Sequence, residues 1–421
     1  MAIDSDASGA DLTAERENIA DAITRHASQR PYAVAIIEND SAIHYRSLET
    51  LAWLAAGHFR RAGIAPGDVV GFAMPHSALC LVGVYALARI GAVSTSLPLG
   101  DPPAQRATIA ERLGMKFVVA AQPNAGPGAV PTVLLNLDIL KAGPSRVPAE
   151  LRADGGDRPW TIWRTSGTTA EAKAAVAAHR HTLASYRALA GHFSGPSDRF
   201  LAILDVGLVY GMIWCNRTLF AGGTVVIPKL PISDVQILQH IDRYAITHLG
   251  LTPNYLGLVL DKLPQDGCRC PTLKEVAVTG MAMPESARAE IRRRFTRNLS
   301  VRYGSNEAQT LTAANADMQE KYPETVGTAL PGVELEIVDD EGRSLPAGEP
   351  GHVRVRTPWM PSGYLDSPPE IERRTFRDGW IHPGDIGVLN EDGMLFIKGR
   401  ADDMINYDGI KIVPSDIEAA L

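Results

Sequence analysis

Cysteine is scarce, with four in 421 residues (Cys80, Cys215, Cys268 and Cys270), which excludes a fold stapled by disulfides. The Cys268-Arg-Cys270 pair has no second Cys or His pair at zinc spacing, so it reads as structural. Long hydrophobic runs are lacking too. The longest, Ala78 to Ala88, falls well short of the roughly 20 residues that a bilayer crossing needs, and Arg89 follows it. Positive charge is not in excess: 41 Lys and Arg stand against 48 Asp and Glu, a net charge of −7. Such a balance gives no field for nucleic acid or an anionic membrane surface. The opening MAIDSDASGADLTAERENIADAI has acids where a secretory signal has bases, so a cytoplasmic location is expected. No internal repeat is found, and no low-complexity tract beyond short loops such as QPNAGPGAVP (122–131).

What is present is an ordinary globular composition, 45% hydrophobic and 21% charged, in a chain long enough for one large or a few smaller domains. Residues 48 to 63 place Leu48, Leu51, Leu54, Ala55 and Phe59 on one helical face, and Ser47 offers a cap. GDVVGFAM (67–74) then reads as a buried strand, ALCLVGVYALARIG as a helix closed by Gly91, and AVSTSLPL as another strand. The rhythm continues through FVVAAQ, RFLAIL, TVVIP, THLGLT and EVAVTG, and predicts parallel sheet flanked by helices over 1–322. From Pro323 the texture changes. VELEIVD, GHVRVRT and the 387–400 stretch alternate apolar and polar residues around Gly and Asp turns, so 323–400 is expected to be a smaller, antiparallel β-rich unit.

Three clusters carry candidate chemistry. Thr165-Ser166-Gly167-Thr168-Thr169 follows the apolar Trp160 to Trp163, with Lys173 eight residues after Thr165. Hydroxyls, a glycine and a lysine in that order can wrap a polyphosphate, although an isolated Ser/Thr-rich turn is more often a plain loop. Tyr303-Gly304-Ser305-Asn306-Glu307 offers a ring for a flat ligand, a backbone that can approach it and a carboxylate for a divalent cation; a strand-end turn is the bland alternative. Gly384-Asp385 and Gly399-Arg400 lie at the two ends of one hairpin, where a carboxylate can accept ribose hydroxyls and an arginine can donate; a simple ion pair is the competing reading. His179 and His181 resemble a ligand pair but read as structural.

Together and in this order, with TSGTTAEAK, AVTGMAMP, YGSNEA, TVGTALPGVELEIVD, HPGD and GRADDMINYDGIKIVP, the chain resembles the adenylate-forming superfamily of acyl-CoA synthetases, adenylation domains and luciferases. The resemblance spans nearly the whole sequence. It implies a large N-terminal domain of two α/β subdomains with mostly parallel sheets, plus a smaller antiparallel, barrel-like subdomain. It also implies ATP and Mg2+ as cofactors, with CoA or a phosphopantetheine carrier as thiol acceptor. Carried over by residue, Thr165 to Lys173 are the pyrophosphate loop, with Thr168 and Lys173 at the reacting phosphates. Gly280, Met281, Ala282 and Tyr303 with Gly304 form the adenine walls, and Asn306 contacts the α-phosphate. Glu307, with Thr168, holds magnesium; Asp385 and Arg400, beside Ile397, hold the ribose; Asp402 is the hinge, so that 401–421 begins a small C-terminal domain. The acyl pocket falls on Val206, Leu208, Tyr210, Gly211, Met281 and Met283, an apolar set that predicts a fatty or aromatic acid. Ungapped alignment through Val209-Tyr210-Gly211 places Asp205 just outside it.

The chain departs from the family pattern at Ala170 and Ala174, where glycine is usual, at Ala172, where proline is usual, and at Asn306, where threonine is usual. Nineteen residues follow Asp402 here, while the family continues into the domain that brings a catalytic lysine, so impaired chemistry is expected of the isolated chain. The reaction implied is ATP-dependent activation of a carboxylic acid to acyl-AMP for thioester formation with CoA. Carrier-protein loading and a noncatalytic adenylate-binding relic are the alternatives.

Overall fold

Two units divide the chain, 1–248 with 361–366 and 249–360 with 367–421. The computed structural model describes residues 16–142, 152–164, 173–190, 195–263, 270–361, 363–403, 405–407 and 410–412. The hydroxyl-rich stretch from Thr165 through Thr169, Ala170 and Ala172, together with Cys268, therefore lies outside the described residues.

The first unit holds β1 (Val34–Glu38), β2 (Ser41–His44), β3 (Val69–Ala73), β4 (Val93–Ser96), β5 (Phe117–Ala120), β6 (Thr132–Leu134), β7 (Pro159–Arg164), β8 (Ala174–Ala178), β9 (Arg199–Leu201) and β10 (Thr224–Ile227). One sheet runs in the order β6-β5-β3-β4-β7-β8, and a second group in the order β9-β10-β1-β2. Pairing is parallel except for β1 with β2 and β7 with β8. Between β3 and β4 the helix Ala78–Ile90 is buried on nearly every side, as a helix apolar all round must be.

The helix expected over 48 to 63 spans Tyr45–Arg61, and Ser47 does not cap it. His44 is both the last residue of β2 and the cap position, so the chain passes straight from strand to helix and Ser47 falls in the first turn. Leu48, Ala55 and Phe59 are buried as expected, joined by Ala52 and Ala56, while Leu51 and Leu54 are only half-buried.

The second unit holds β11 (His248–Leu251), β12 (Glu275–Val278), β13 (Leu299–Ser305), β14 (Gln309–Ala314) and β15 (Thr328–Ala329), in the order β15-β14-β13-β12-β11. It also holds an antiparallel sheet of β16 (Glu334–Val338), β17 (Gly351–Arg356), β18 (Phe376–Arg377), β19 (Trp380–Ile381), β20 (Asp385–Leu389) and β21 (Leu395–Arg400), ordered β18-β19-β17-β20-β21 with β16 on β17. The period-two pattern read from the sequence decides its register. Leu335 faces Val355 and Ile337 faces Val353, and these residues pack with Leu311, Ile381 and Leu395 in one apolar cluster. Leu389, Leu395 and Ile397 tie β20 and β21, whose ends carry Asp385 and Arg400, to that cluster.

Candidate active site

In the second unit Asp385 opens β20 directly opposite Arg400, which ends β21. The Arg400 guanidinium donates through Nη1 to Asp385 Oδ1 at 3.0 Å and to the Pro383 carbonyl at 2.9 Å. Gly384 permits this arrangement: its φ is +85°, and a Cβ there would stand 3.2 Å from the Arg400 guanidinium. From β13, the Tyr303 hydroxyl donates to Asp385 Oδ2 at 2.6 Å. Asp385 is buried, and each of its oxygens accepts one bond, so lone pairs remain on both for further donors. Burial, and then the Asp385 charge, push the Tyr303 phenol well above its ordinary value, so it remains a donor.

Tyr303 and Ile397 both pack on the cluster beneath the antiparallel sheet. Gly304 has a use that the sequence did not indicate. A Cβ there would stand 2.0 Å from the Gln309 carbonyl, so the glycine admits the neighbouring strand β14 at a bulge. Asn306 and Glu307 lie in the turn between β13 and β14, half-buried, with Gln309 at φ +59° after them. Gly280, Met281 and Ala282 follow β12 as an exposed turn, with Met281 60% exposed, while Met283 is buried. Asp402 is exposed and pairs with Arg374.

In the first unit Lys173 precedes β8, with Nζ 5.3 Å from the centroid of the Tyr364 ring. The 361–366 segment reaches the same strand, where the Leu365 N–H donates to the Ala174 carbonyl at 2.7 Å. Ala174 is fully buried, so this departure from the family's glycine is accommodated within a strand. A cavity of about 580 Å³ is lined by residues of β3, β4 and β7 and of the helices Ala78–Ile90 and Pro103–Arg112. Leu208 lines it, with Gly207, Val209 and Met212. Val206 is buried and its N–H donates to His76 Nδ1 at 3.1 Å. Gly211 packs so closely that a Cβ would stand 2.3 Å from the Asp205 carbonyl, and Tyr210 sits edge-on to Trp214; these three are not among the residues that line this cavity.

His76 and Arg164 carried no role in the sequence reading. His76 Nδ1 lies 3.9 Å from Asp205 Oδ1, and burial pulls its pKa down while Asp205 opposes that shift. Nδ1 accepts the Val206 N–H, so the neutral ring carries its proton on Nε2. Asp205 also accepts the Gly207 N–H at 2.8 Å, which fixes the turn before the helix Val209–Phe220. His179 and His181 are buried, and His179 Nδ1 accepts the Ile19 N–H at 3.1 Å. No group of three metal-ligating side chains occurs among the described residues, and no described helix is long and apolar enough to cross a membrane.

The model of the AMP-binding enzyme family matches residues 23–365. The chain is 30% identical to 4-coumarate–CoA ligase-like 3 of Oryza sativa subsp. japonica, over 90% of this chain and 71% of that protein. It is 26% identical to the fatty acid–[acyl-carrier-protein] ligase ScoC of Streptomyces coeruleorubidus, over 94% and 79% respectively. Among solved structures, ATP-bound MatB from Rhodopseudomonas palustris superposes with a TM-score of 0.86 at 25% identity, covering 96% of this chain and 83% of that one. The chain belongs to the AMP-binding, adenylate-forming enzyme family.

Proposed function

We propose that the chain activates a carboxylic acid with ATP, giving acyl-AMP and pyrophosphate, and passes the acyl group to the thiol of CoA with release of AMP. The observation that carries this reading is the buried Asp385 carboxylate, bracketed by Tyr303 and Arg400, in a chain of the AMP-binding family. A buried carboxylate with lone pairs to spare is the acceptor that two ribose hydroxyls need, and the exposed turn at Gly280, Met281 and Ala282 offers a face for a flat base. In the roles proposed, Tyr303 supports the adenine, Asp385 and Arg400 take the ribose, and Asn306 meets the α-phosphate.

The attacking carboxylate is a weak nucleophile that approaches an anionic phosphate, so rate must come from alignment and from neutralising charge. Lys173 and the hydroxyls of Thr165, Ser166, Thr168 and Thr169 are assigned the phosphates. Glu307, half-buried in its turn, fits magnesium as the main protein carboxylate, with Thr168 beside it, since this ion keeps water and phosphate oxygens for most of its shell. When bound, it withdraws charge from the phosphates.

The named relatives are a 4-coumarate–CoA ligase-like protein and a fatty acid–[acyl-carrier-protein] ligase. The second match makes carrier loading the alternative acceptor reading. Acid-dependent exchange of labelled pyrophosphate into ATP tests activation. Exchange with a fatty or aryl acid supports the reading, and nucleotide binding without exchange for any acid overturns it. Mass analysis of the thioester formed from CoA or carrier protein separates the two acceptors.

A further inference from the structure

The cavity of the first unit is lined by both apolar and charged side chains. Phe72, Val84, Leu113 and Met212 supply apolar wall, and Asp101, Arg112 and Arg164 supply charge. Among the described lining residues Arg112 and Arg164 are the cations and Asp101 the carboxylate. Its volume, about 580 Å³, lies within the roughly 300–1,000 Å³ range of small-molecule sites.

Arg164 is the unusual member. It ends β7, a strand otherwise apolar from Trp160 through Trp163 except for Thr161, and it is half-buried. Its one hydrogen bond among the described residues runs from Nη1 to the Ser96 carbonyl at 3.1 Å. Asp101 acts on it electrostatically, but no carboxylate among the described residues forms an ion pair with it. A guanidinium has five N–H donors in a rigid fork shaped for a carboxylate. Burial disfavours its charge here, and an anionic ligand would compensate for that loss of water.

We propose that the acid taken by this chain carries a second carboxylate on an apolar body, held by Arg164 inside this cavity. The inference rests on the acid-activation reading and narrows its substrate class from apolar monoacids to diacids. Apolar walls suit a hydrocarbon body better than the amide-rich arm of a thiol acceptor, whose phosphate is the other anion that Arg164 could hold.

The test is calorimetric titration of the 421-residue protein with matched pairs, octanoate against octanedioate and phenylacetate against phenylenediacetate, with CoA titrated separately. Wild type is expected to bind the diacid of each pair about tenfold or more tightly, the effect of one charge-assisted fork. Arg164→Gln should bring each pair within about twofold, and Arg164→Lys should keep part of the preference because the charge remains. Equal or tighter binding of the monoacids by wild type overturns the inference, and needs no variant to be folded. A diacid preference that survives Arg164→Gln, or loss of CoA binding in place of diacid binding, overturns it as well. Pyrophosphate exchange that proceeds with monoacids and shows no diacid preference refutes this inference alone. Diacid binding that depends on Arg164, without exchange for any acid, refutes acid activation and leaves the Arg164 site standing.

Discussion

The Tyr303 hydroxyl donates to Asp385 Oδ2 at 2.6 Å and so ties the end of β13 to the start of β20. The hydroxyl of Tyr303 thus holds the neighbouring carboxylate, while its ring is the face proposed for the adenine. Tyr303→Phe keeps the ring and removes the donor. A hydrogen bond to a charged acceptor contributes about 1.5–3 kcal/mol, so the unfolding midpoint in urea should fall accordingly. Affinity for ATP should fall less than in Asp385→Ala, because ribose hydroxyls can take the vacated lone pair. Unchanged urea midpoints would show that the bond has no weight.

The bulge beside Tyr303 makes a second prediction. Gly304→Ala puts a Cβ 2.0 Å from the Gln309 carbonyl, a contact that backbone must move to relieve. Overpacking of this kind typically costs about 1–3 kcal/mol. Thermal unfolding should show the loss, and ATP affinity should fall with it as Tyr303 shifts; wild-type values for both would contradict the close packing.

Glu307→Gln removes the carboxylate proposed for magnesium while preserving size. The magnesium concentration needed for half-maximal pyrophosphate exchange should rise, and circular dichroism should not change. Superimposable magnesium titrations would remove Glu307 from that role.

His179 makes stability depend on pH. Burial lowers its pKa from 6.5 to about 3 in the folded chain. Below 6.5 the unfolded chain binds a proton that the folded chain refuses, so this contribution is complete above pH 6.5 and drains away as pH falls toward 3. His179→Gln can still accept the Ile19 N–H and has nothing to titrate. Its urea midpoint should therefore depend less on pH between 6.5 and 4 than that of wild type. Parallel curves would show that other groups set the acid limit.

Much of this was legible in the sequence. The valine-containing apolar runs at 69–73, 224–227 and 275–278 marked buried strands because they are short and flanked by turn residues. The alternation in Glu334–Val338 and Gly351–Arg356 fixed which faces meet. The pairing of Asp385 with Arg400 followed from hairpin length. What stayed hidden depends on contacts distant in sequence. Ser47 has the residue type of a cap, but β2 leads straight into the next helix with no local mark, whereas Ser233 and Gln236 do form a capping box. The use of Gly304 is visible only once β14 is in place. Arg164 did leave a signal, a lone cation at the end of an apolar strand, which the hydroxyl-rich stretch after it overshadowed.

The most direct test of the central claim, that Asp385 holds the ribose of an adenylate, is calorimetric titration of wild type and Asp385→Ala with a nonhydrolysable acyl-AMP mimic. Removing the charged acceptor from two ribose hydroxyls should cost about 1.5–3 kcal/mol, a weakening of roughly 10- to 150-fold at the usual tenfold per 1.4 kcal/mol. Circular dichroism should match wild type in that variant. Equal affinity in the two proteins, with both folded, would contradict the account.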